Sequence, residues 1–221
     1  MSEIRHQTIE ITRTSPFERL VERASAAMAP LVPDAVTPNQ ITVLGGVAGC
    51  LSGVFFYLGG DERHWLLVAA ALMVIHLIAD GLDGAVAKLR NRKSDLGYFL
   101  DQFLDLVSFV AVVIGIALSS LAYFQIAILG AVLYPITLFV ILHWIHLRNK
   151  WIFPIVGPSD LWLLLALFTV LTFAHPGPVV EVSGWPLGWV DLGFLVGLPL
   201  ALLDAGWLVI RLIRELSAKK E

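Results

Sequence analysis

Four carboxylates fall close together between two apolar runs: Asp80 and Asp83, then Asp101 and Asp105. The first pair is three residues apart and the second four, and either spacing stacks two side chains on one face of a helix. Two such helices side by side would converge four carboxylates on one point. Charges inside apolar membrane segments cost roughly 2.5 to 3.5 kcal/mol each on insertion scales, so they mark function. Four negative charges repel one another unless something positive lies between them, and a hard divalent cation with oxygen ligands is the simplest answer. Gly81, Gly84, Ala87 and Gly97 remove side-chain bulk beside the acids, so a phosphate-bearing ligand could approach the backbone. Lys88, with Arg90, Arg92 and Lys93 after it, supplies positive charge. Metals on phosphate oxygens, a cation and room for a nucleotide point to transfer at a diphosphate.

The elements that must position these acids are membrane helices. The chain has 221 residues, 57% hydrophobic and only 15% charged, with mean hydropathy +0.80. A soluble domain carries about 25% charged residues, so this is an all-α, polytopic membrane protein. A net charge of −3 does not suggest nucleic acid as a partner, and the single cysteine, Cys50, excludes an internal disulfide. No apolar core of a signal peptide opens the chain. Residues 1–36 read as a polar cytoplasmic segment ending in an amphipathic helix from Pro16 to Leu31. Its apolar residues Phe17, Leu20, Val21, Ala24, Ala27, Met28 and Leu31 recur at helical spacing. That helix lies either in the membrane interface or on the protein's own surface.

Residues 37–213 hold six spans, near 41–60, 65–87, 96–120, 121–147, 160–174 and 190–213, each close to the roughly 20 residues a bilayer needs. Thr37 or Asn39 can cap the first, and Pro38 suits its start. Gly45, Gly49 and Gly53 repeat every four residues and read as close helix packing. The acids sit at the end of the second span and the start of the third. Of the 15 Lys and Arg, all but Arg63 fall on one side, which places both termini and the acids at the cytoplasmic face, with 214–221 as a tail. His76 sits one turn before Asp80 and either orients that carboxylate or bonds a neighbouring helix. Asp204, inside the last span, either serves a site or pairs with Arg211. Trp65, Trp151, Trp185 and Trp189 read as an interfacial aromatic belt, and Asp191 and Glu181 as solvated on the far side.

The order Asp80, two residues, Asp83-Gly84, two residues, Ala87, Lys88, eight residues, Gly97, three residues, Asp101, three residues, Asp105 resembles the signature of the CDP-alcohol phosphotransferases, also called CDP-alcohol phosphatidyltransferases. The family has Arg where this chain has Lys88, which keeps the charge but loses a planar two-pronged donor. The resemblance implies a phospholipid-synthesis enzyme that transfers a phospho-alcohol from a CDP-linked donor to an acceptor hydroxyl and releases CMP. It implies that Asp80, Asp83, Asp101 and Asp105 hold one or two Mg²⁺ or Mn²⁺ ions, and that Asp105 is also the general base. It implies that Gly84, Ala87 and Gly97 line a cytidine pocket, that Lys88 contacts phosphate, and that Asn39 closes the pocket from the first span. A lipid substrate, the membrane and a homodimer are the partners it implies.

The acceptor divides the family into two types. His143-Trp144-Ile145-His146 and the later Gly157-Pro158-Ser159-Asp160 resemble in part a pattern of the aminoalcohol type, in which His146 and Asp160 would serve the donor alcohol or its acceptor. That gives a slight lean to a CDP-choline-like or CDP-ethanolamine-like donor with a lipid alcohol. The alternative is CDP-diacylglycerol with a small polar alcohol; a phosphorylated acceptor would want arginines, and Arg148 is one of few. Outside the family, a cation transporter would use the acids as an ion site, although such proteins favour inverted repeats and broken helices, and no repeat is visible. A membrane scaffold would leave the acids without a purpose.

Overall fold

The computed structural model describes residues 10–12, 16–148, 150–152 and 157–217. The tail residues 218–221 and residues 1–9 lie outside the described residues. A short strand β1 (Glu10–Thr12) is followed by α1 (Pro16–Met28), a 3-10 turn (Ala29–Leu31), α2 (Pro38–Leu58), α3 (Trp65–Leu89), α4 (Asp95–Leu118) and α5 (Phe124–Arg148). Strand β2 (Lys150–Ile152), α6 (Pro158–Ala174), the hairpin β3 (Val180–Val182) and β4 (Trp185–Leu187), and α7 (Trp189–Ser217) complete it. The six apolar helices close a ring in the order α2, α3, α6, α7, α5, α4, and α1 lies against α3 and α6.

Among the described residues, five helices are long and apolar enough to cross a membrane. The fifth expected span, α6, is apolar but 17 residues long, about 25 Å at 1.5 Å per residue. Gly157 with Pro158 at its first position, and Pro176-Gly177-Pro178 after it, limit its length.

Local chemistry sets the ends that matter. Thr37 caps α2: its hydroxyl accepts from the Gln40 amide, and the Gln40 side chain accepts from the Thr37 amide at 2.8 Å. Helix α3 closes with Asn91 in the left-handed region (φ 51°), the Arg92 amide reaching the Ala87 carbonyl at 2.8 Å and the Asn91 amide the Lys88 carbonyl. Three residues later Ser94 caps α4 by accepting from the Gly97 amide at 3.0 Å. This tight reversal leads from the end of α3 to the start of α4, and both helices pack on α2.

The core is Phe56, Met73, Phe109, Val112, Ile116 and Trp162, with smaller residues between them. The glycines of α2 bring it close to both neighbours. A Cβ on Gly45 would fall 2.8 Å from the Ala79 Cβ, one on Gly46 2.9 Å from the Leu104 Cβ, and one on Gly49 2.6 Å from the Ser108 Cβ. Their expected packing role is what the structure shows. Gly81 differs from expectation: it faces α1, where a Cβ would meet the Ser25 hydroxyl at 2.5 Å, and not the acids.

Helix α1 turns a partly polar face inward. Glu18 and Ser25 are buried with Val21 half-buried, whereas Leu20 and Leu31 are 58% and 80% exposed. The Glu18 carboxylate accepts from the Ser159 amide at 2.9 Å and from its hydroxyl at 3.0 Å, capping α6. Residues 10–12 pair in parallel with 150–152. Asp191, expected in solvent, is 2% exposed because it accepts from the amides of Tyr123 (2.8 Å) and Gly188 (3.0 Å), tying the starts of α5 and α7. Glu181 is exposed as expected.

A Gly49→Val substitution should push α2 off α3 and α4. We expect a loss of about 2 kcal/mol, read as a lower melting temperature of the purified protein in detergent.

Candidate metal and nucleotide site

The reversal between α3 and α4 brings the two acid pairs together against α2. A cleft of about 180 Å³ is lined by Asp80, Asp83, Asp101 and Asp105, with Thr42, Gly45, Gly46, His76 and Leu104. Asp80, Asp101 and Asp105 each offer an oxygen, and these atoms all lie within 4.8 Å of one another. Asp83 faces a different set of donors. One oxygen accepts from the Thr42 hydroxyl of α2 and the other from the Gly84 amide. Gln102 donates to Asp101 at 3.1 Å.

The converging groups are carboxylates alone, and no Lys or Arg lines the cleft among the described residues. Hard oxygen donors with unbalanced negative charge fit Mg²⁺ or Mn²⁺ and not a soft metal. Such an ion would neutralise the acids and hold phosphate oxygens beside them.

His76 is 2% exposed and stands behind the acids. Its Nδ1 lies 3.0 Å from the Gly45 carbonyl, which can only accept, so the proton is on Nδ1. Nε2 faces Asp105 at 3.6 Å, and the ring packs on Trp162 with centroids 4.0 Å apart. The interhelical bond is thus the one expected, and the acid that the ring faces is Asp105.

The remaining sequence candidates divide. A side chain on Gly84 would meet nothing within 4 Å, so that face of α3 is open. On Gly97 it would press on the Asn39 Oδ1 at 3.1 Å and the Ser94 Oγ at 3.2 Å, which places Asn39 of α2 at the first turn of α4. Ala87 is half-buried and Lys88 exposed, both on α3 just past the acids. The residues expected at the acceptor do not line the cleft. His146 is exposed near the end of α5. Arg148 donates to the Glu215 carbonyl and lies 3.7 Å from its carboxylate. Asp160 accepts from the Gly157 amide at 2.8 Å at the start of its own helix. Thr42 carries no sequence signal of its own, although it falls three residues after Asn39, on the same face of the first span.

A second, larger and partly open cavity lies between α4, α5, α6 and α7. Its walls are apolar and include Leu133, Phe168, Phe194 and Gly197, with Thr137 and Asp204 among them. Pro135 in α5 and Pro199 in α7 fall beside it, where each removes a backbone hydrogen bond. Arg211 pairs with Glu215 at 3.6 Å and lies over the Trp207 ring. Tyr134, on the cavity wall, stacks on Phe109 at 4.1 Å, and Phe109 meets Trp162 edge-on. Together with His76 these rings stand between the apolar cavity and the acidic cleft.

A CDP-alcohol phosphatidyltransferase family model matches residues 35–197. The chain is 31% identical over 109 residues to an archaetidylinositol phosphate synthase of Pyrococcus horikoshii, covering 49% of this chain and 54% of that protein. It is 35% identical over 97 residues to a CDP-diacylglycerol–serine O-phosphatidyltransferase of Helicobacter pylori, covering 44% and 37%. The chain thus spans about half the length of these relatives, or less. The fold is similar to the crystal structure of Mycobacterium tuberculosis phosphatidylinositol phosphate synthase with CDP-DAG bound. The TM-score is 0.59 at 17% identity, over 87% of this chain and 91% of that one. The same enzyme in complex with manganese and citrate gives 0.60 at 16% identity, over 86% of each chain.

Removing a converging carboxylate should weaken divalent metal binding. Asp101→Asn should lower Mn²⁺ affinity by at least about tenfold, measured by the free-Mn²⁺ EPR signal on titration of the purified protein.

Proposed function

Since the chain belongs to the CDP-alcohol phosphatidyltransferase family, we propose that it transfers a phosphatidyl-type group from a CDP-linked lipid to the hydroxyl of a small polar alcohol, releasing CMP. The observation that carries this is the meeting of three carboxylates from α3 and α4 in one cleft near the open face of Gly84, with an apolar cavity beyond one layer of rings. Walls this apolar suit an acyl or other long apolar chain. The aminoalcohol-type donor loses its support, since His146 and Asp160 do not line the cleft. The relatives' names point to lipid-linked CDP donors as well.

In this reading Asp80, Asp83, Asp101 and Asp105 hold one or two Mg²⁺ or Mn²⁺ ions, which supply positive charge to the diphosphate and its developing negative charge. Thr42 and the Gly84 amide aim Asp83. Gly84, Ala87 and Gly97, with Asn39 across from Gly97, form the cytidine side, and exposed Lys88 reaches phosphate. Asp105, backed by His76, takes the proton of the acceptor hydroxyl. The acceptor oxygen bonds to the phosphorus nearer the lipid as the bond to the CMP oxygen breaks, so one phosphoanhydride is exchanged for one phosphodiester. The Lys and Arg bias puts this cleft and both termini on the cytoplasmic side, with the outward Leu20 and Leu31 of α1 in the interface. A homodimer is the expected assembly. A cation transporter fits less well: α3 and α4 run unbroken through the acids, and transporters favour interrupted helices.

The test is CMP release by purified protein with Mg²⁺ or Mn²⁺, in two arms: CDP-diacylglycerol with glycerol phosphate, inositol phosphate or serine as acceptor, and CDP-choline or CDP-ethanolamine with diacylglycerol as acceptor. CMP should appear with CDP-diacylglycerol, and Asp105→Asn should cut the rate by roughly 10²- to 10⁴-fold. Release with CDP-choline alone would overturn the donor assignment, and ion uptake without CMP release the enzyme itself. Gly197, whose added Cβ would meet nothing, offers a separate check of the cavity. Gly197→Trp should raise KM for the lipid donor by about tenfold while leaving CMP binding near that of the parent.

A further inference from the structure

Arg90 does something that its place in the basic loop does not suggest. The loop's positive charge reads as a complement to phosphate, and Lys88, Arg92 and Lys93 are exposed. The Arg90 side chain is only 13% exposed. Its guanidinium turns away from solvent to the chain that leads into α2. One terminal nitrogen donates to the Val36 carbonyl at 2.6 Å, and the other donates to the carbonyls of Val32 (2.6 Å) and Pro33 (3.1 Å). The Asp34 carboxylate lies 3.7 Å from the second nitrogen. The same Pro33 carbonyl accepts from the Val36 amide, so the segment is a turn closed around the guanidinium. A planar fork of donors suits several carbonyls at once, and a lysine ammonium cannot reproduce it.

The turn matters because it leads directly into α2. Thr37 caps that helix one residue later, and Asn39 and Thr42 come next on one helix face. Asn39 stands at Gly97 of α4, and Thr42 donates to Asp83 of α3. Arg90 is the residue that ends α3, so the helix carrying the first acid pair also grips the entry to the helix that covers them. We infer that Arg90 is a positioning residue for the cleft: it sets where α2 delivers Asn39 and Thr42 without itself touching the ligand. The inference rests on the reading of this cleft as a nucleotide site.

Arg90→Gln and Arg90→Lys, made in the full chain and purified in detergent, separate this role from the others. Hydrogen exchange reads the brace directly. In Arg90→Gln the amides of residues 34–42 should exchange at least about tenfold faster, with Arg90→Lys between it and the parent. Mn²⁺ affinity should fall by no more than about threefold, since Asp80, Asp101 and Asp105 sit on α3 and α4 and only Asp83 is aimed from α2. CMP binding with Mn²⁺ present should weaken by roughly tenfold in Arg90→Gln, with an unchanged dependence on salt. Unchanged exchange over 34–42 would overturn the inference. Equal losses of Mn²⁺ and CMP binding would show general loosening and overturn it too. A flattened salt dependence would make Arg90 a phosphate ligand instead. Absence of CMP binding in the parent would sink the phosphotransferase reading, while the exchange and Mn²⁺ measurements would still decide the brace.

Discussion

Mutual repulsion among carboxylates is the constraint on which this structure turns. Asp80, Asp101 and Asp105 are held with oxygens within 4.8 Å of one another in the apolar setting of a membrane bundle. No arrangement chosen for stability alone would do this, because each acid costs energy there and the neighbours add to it. The rest of the fold supplies rigidity against that repulsion. The Asn91 turn and the Ser94 cap fix α3 to α4 next to the crowded acids. The glycines of α2 let a third helix lie close enough to buttress both.

The two cavities divide the chemistry by polarity. The acidic cleft is small, and next to Asp83 on its wall Gly84 leaves the helix backbone without a side chain. The apolar cavity is larger and lies beside Pro135 of α5 and Pro199 of α7. One layer of rings, Tyr134, Phe109, Trp162 and His76, separates them. A molecule with a charged head and a long apolar body could address both at once. Helix α1 adds a clasp on the outside: Glu18 caps α6 while Ser25 lies on Gly81 of α3. The short β1–β2 pair fastens the segment before α1 to the chain just after α5.

Much of this was legible in the sequence, for identifiable reasons. The acids were visible because spacing alone places them on helix faces, and charge in an apolar run is too costly to persist without a use. The start of α2 was visible because Thr37-Pro38 is a local signal that needs no tertiary context. The glycine repeat of the first span predicted close packing, and packing is what it does. What the sequence hid are polar groups whose partners lie far along the chain. Glu18 and Ser159 are 141 residues apart, and nothing in an amphipathic pattern marks Glu18 as an inward cap. Arg90 reads as one more cation of a basic loop, and only its three carbonyl partners in the fold set it apart. Asp191 reads as solvated because it sits at a helix start on the far side, but two amides that only folding brings together claim it. His146 and Asp160, singled out by a short partial pattern, do not line the acidic cleft.

The central claim is that the acids of α3 and α4 share a cation that grips a cytidine diphosphate. Electron–nuclear double resonance on Mn²⁺ bound to the purified protein, with CDP added, addresses this contact itself. The account predicts a resolved ³¹P coupling to the bound Mn²⁺ that disappears with Asp80→Asn. Mn²⁺ that binds with no ³¹P coupling in the presence of saturating CDP would contradict it.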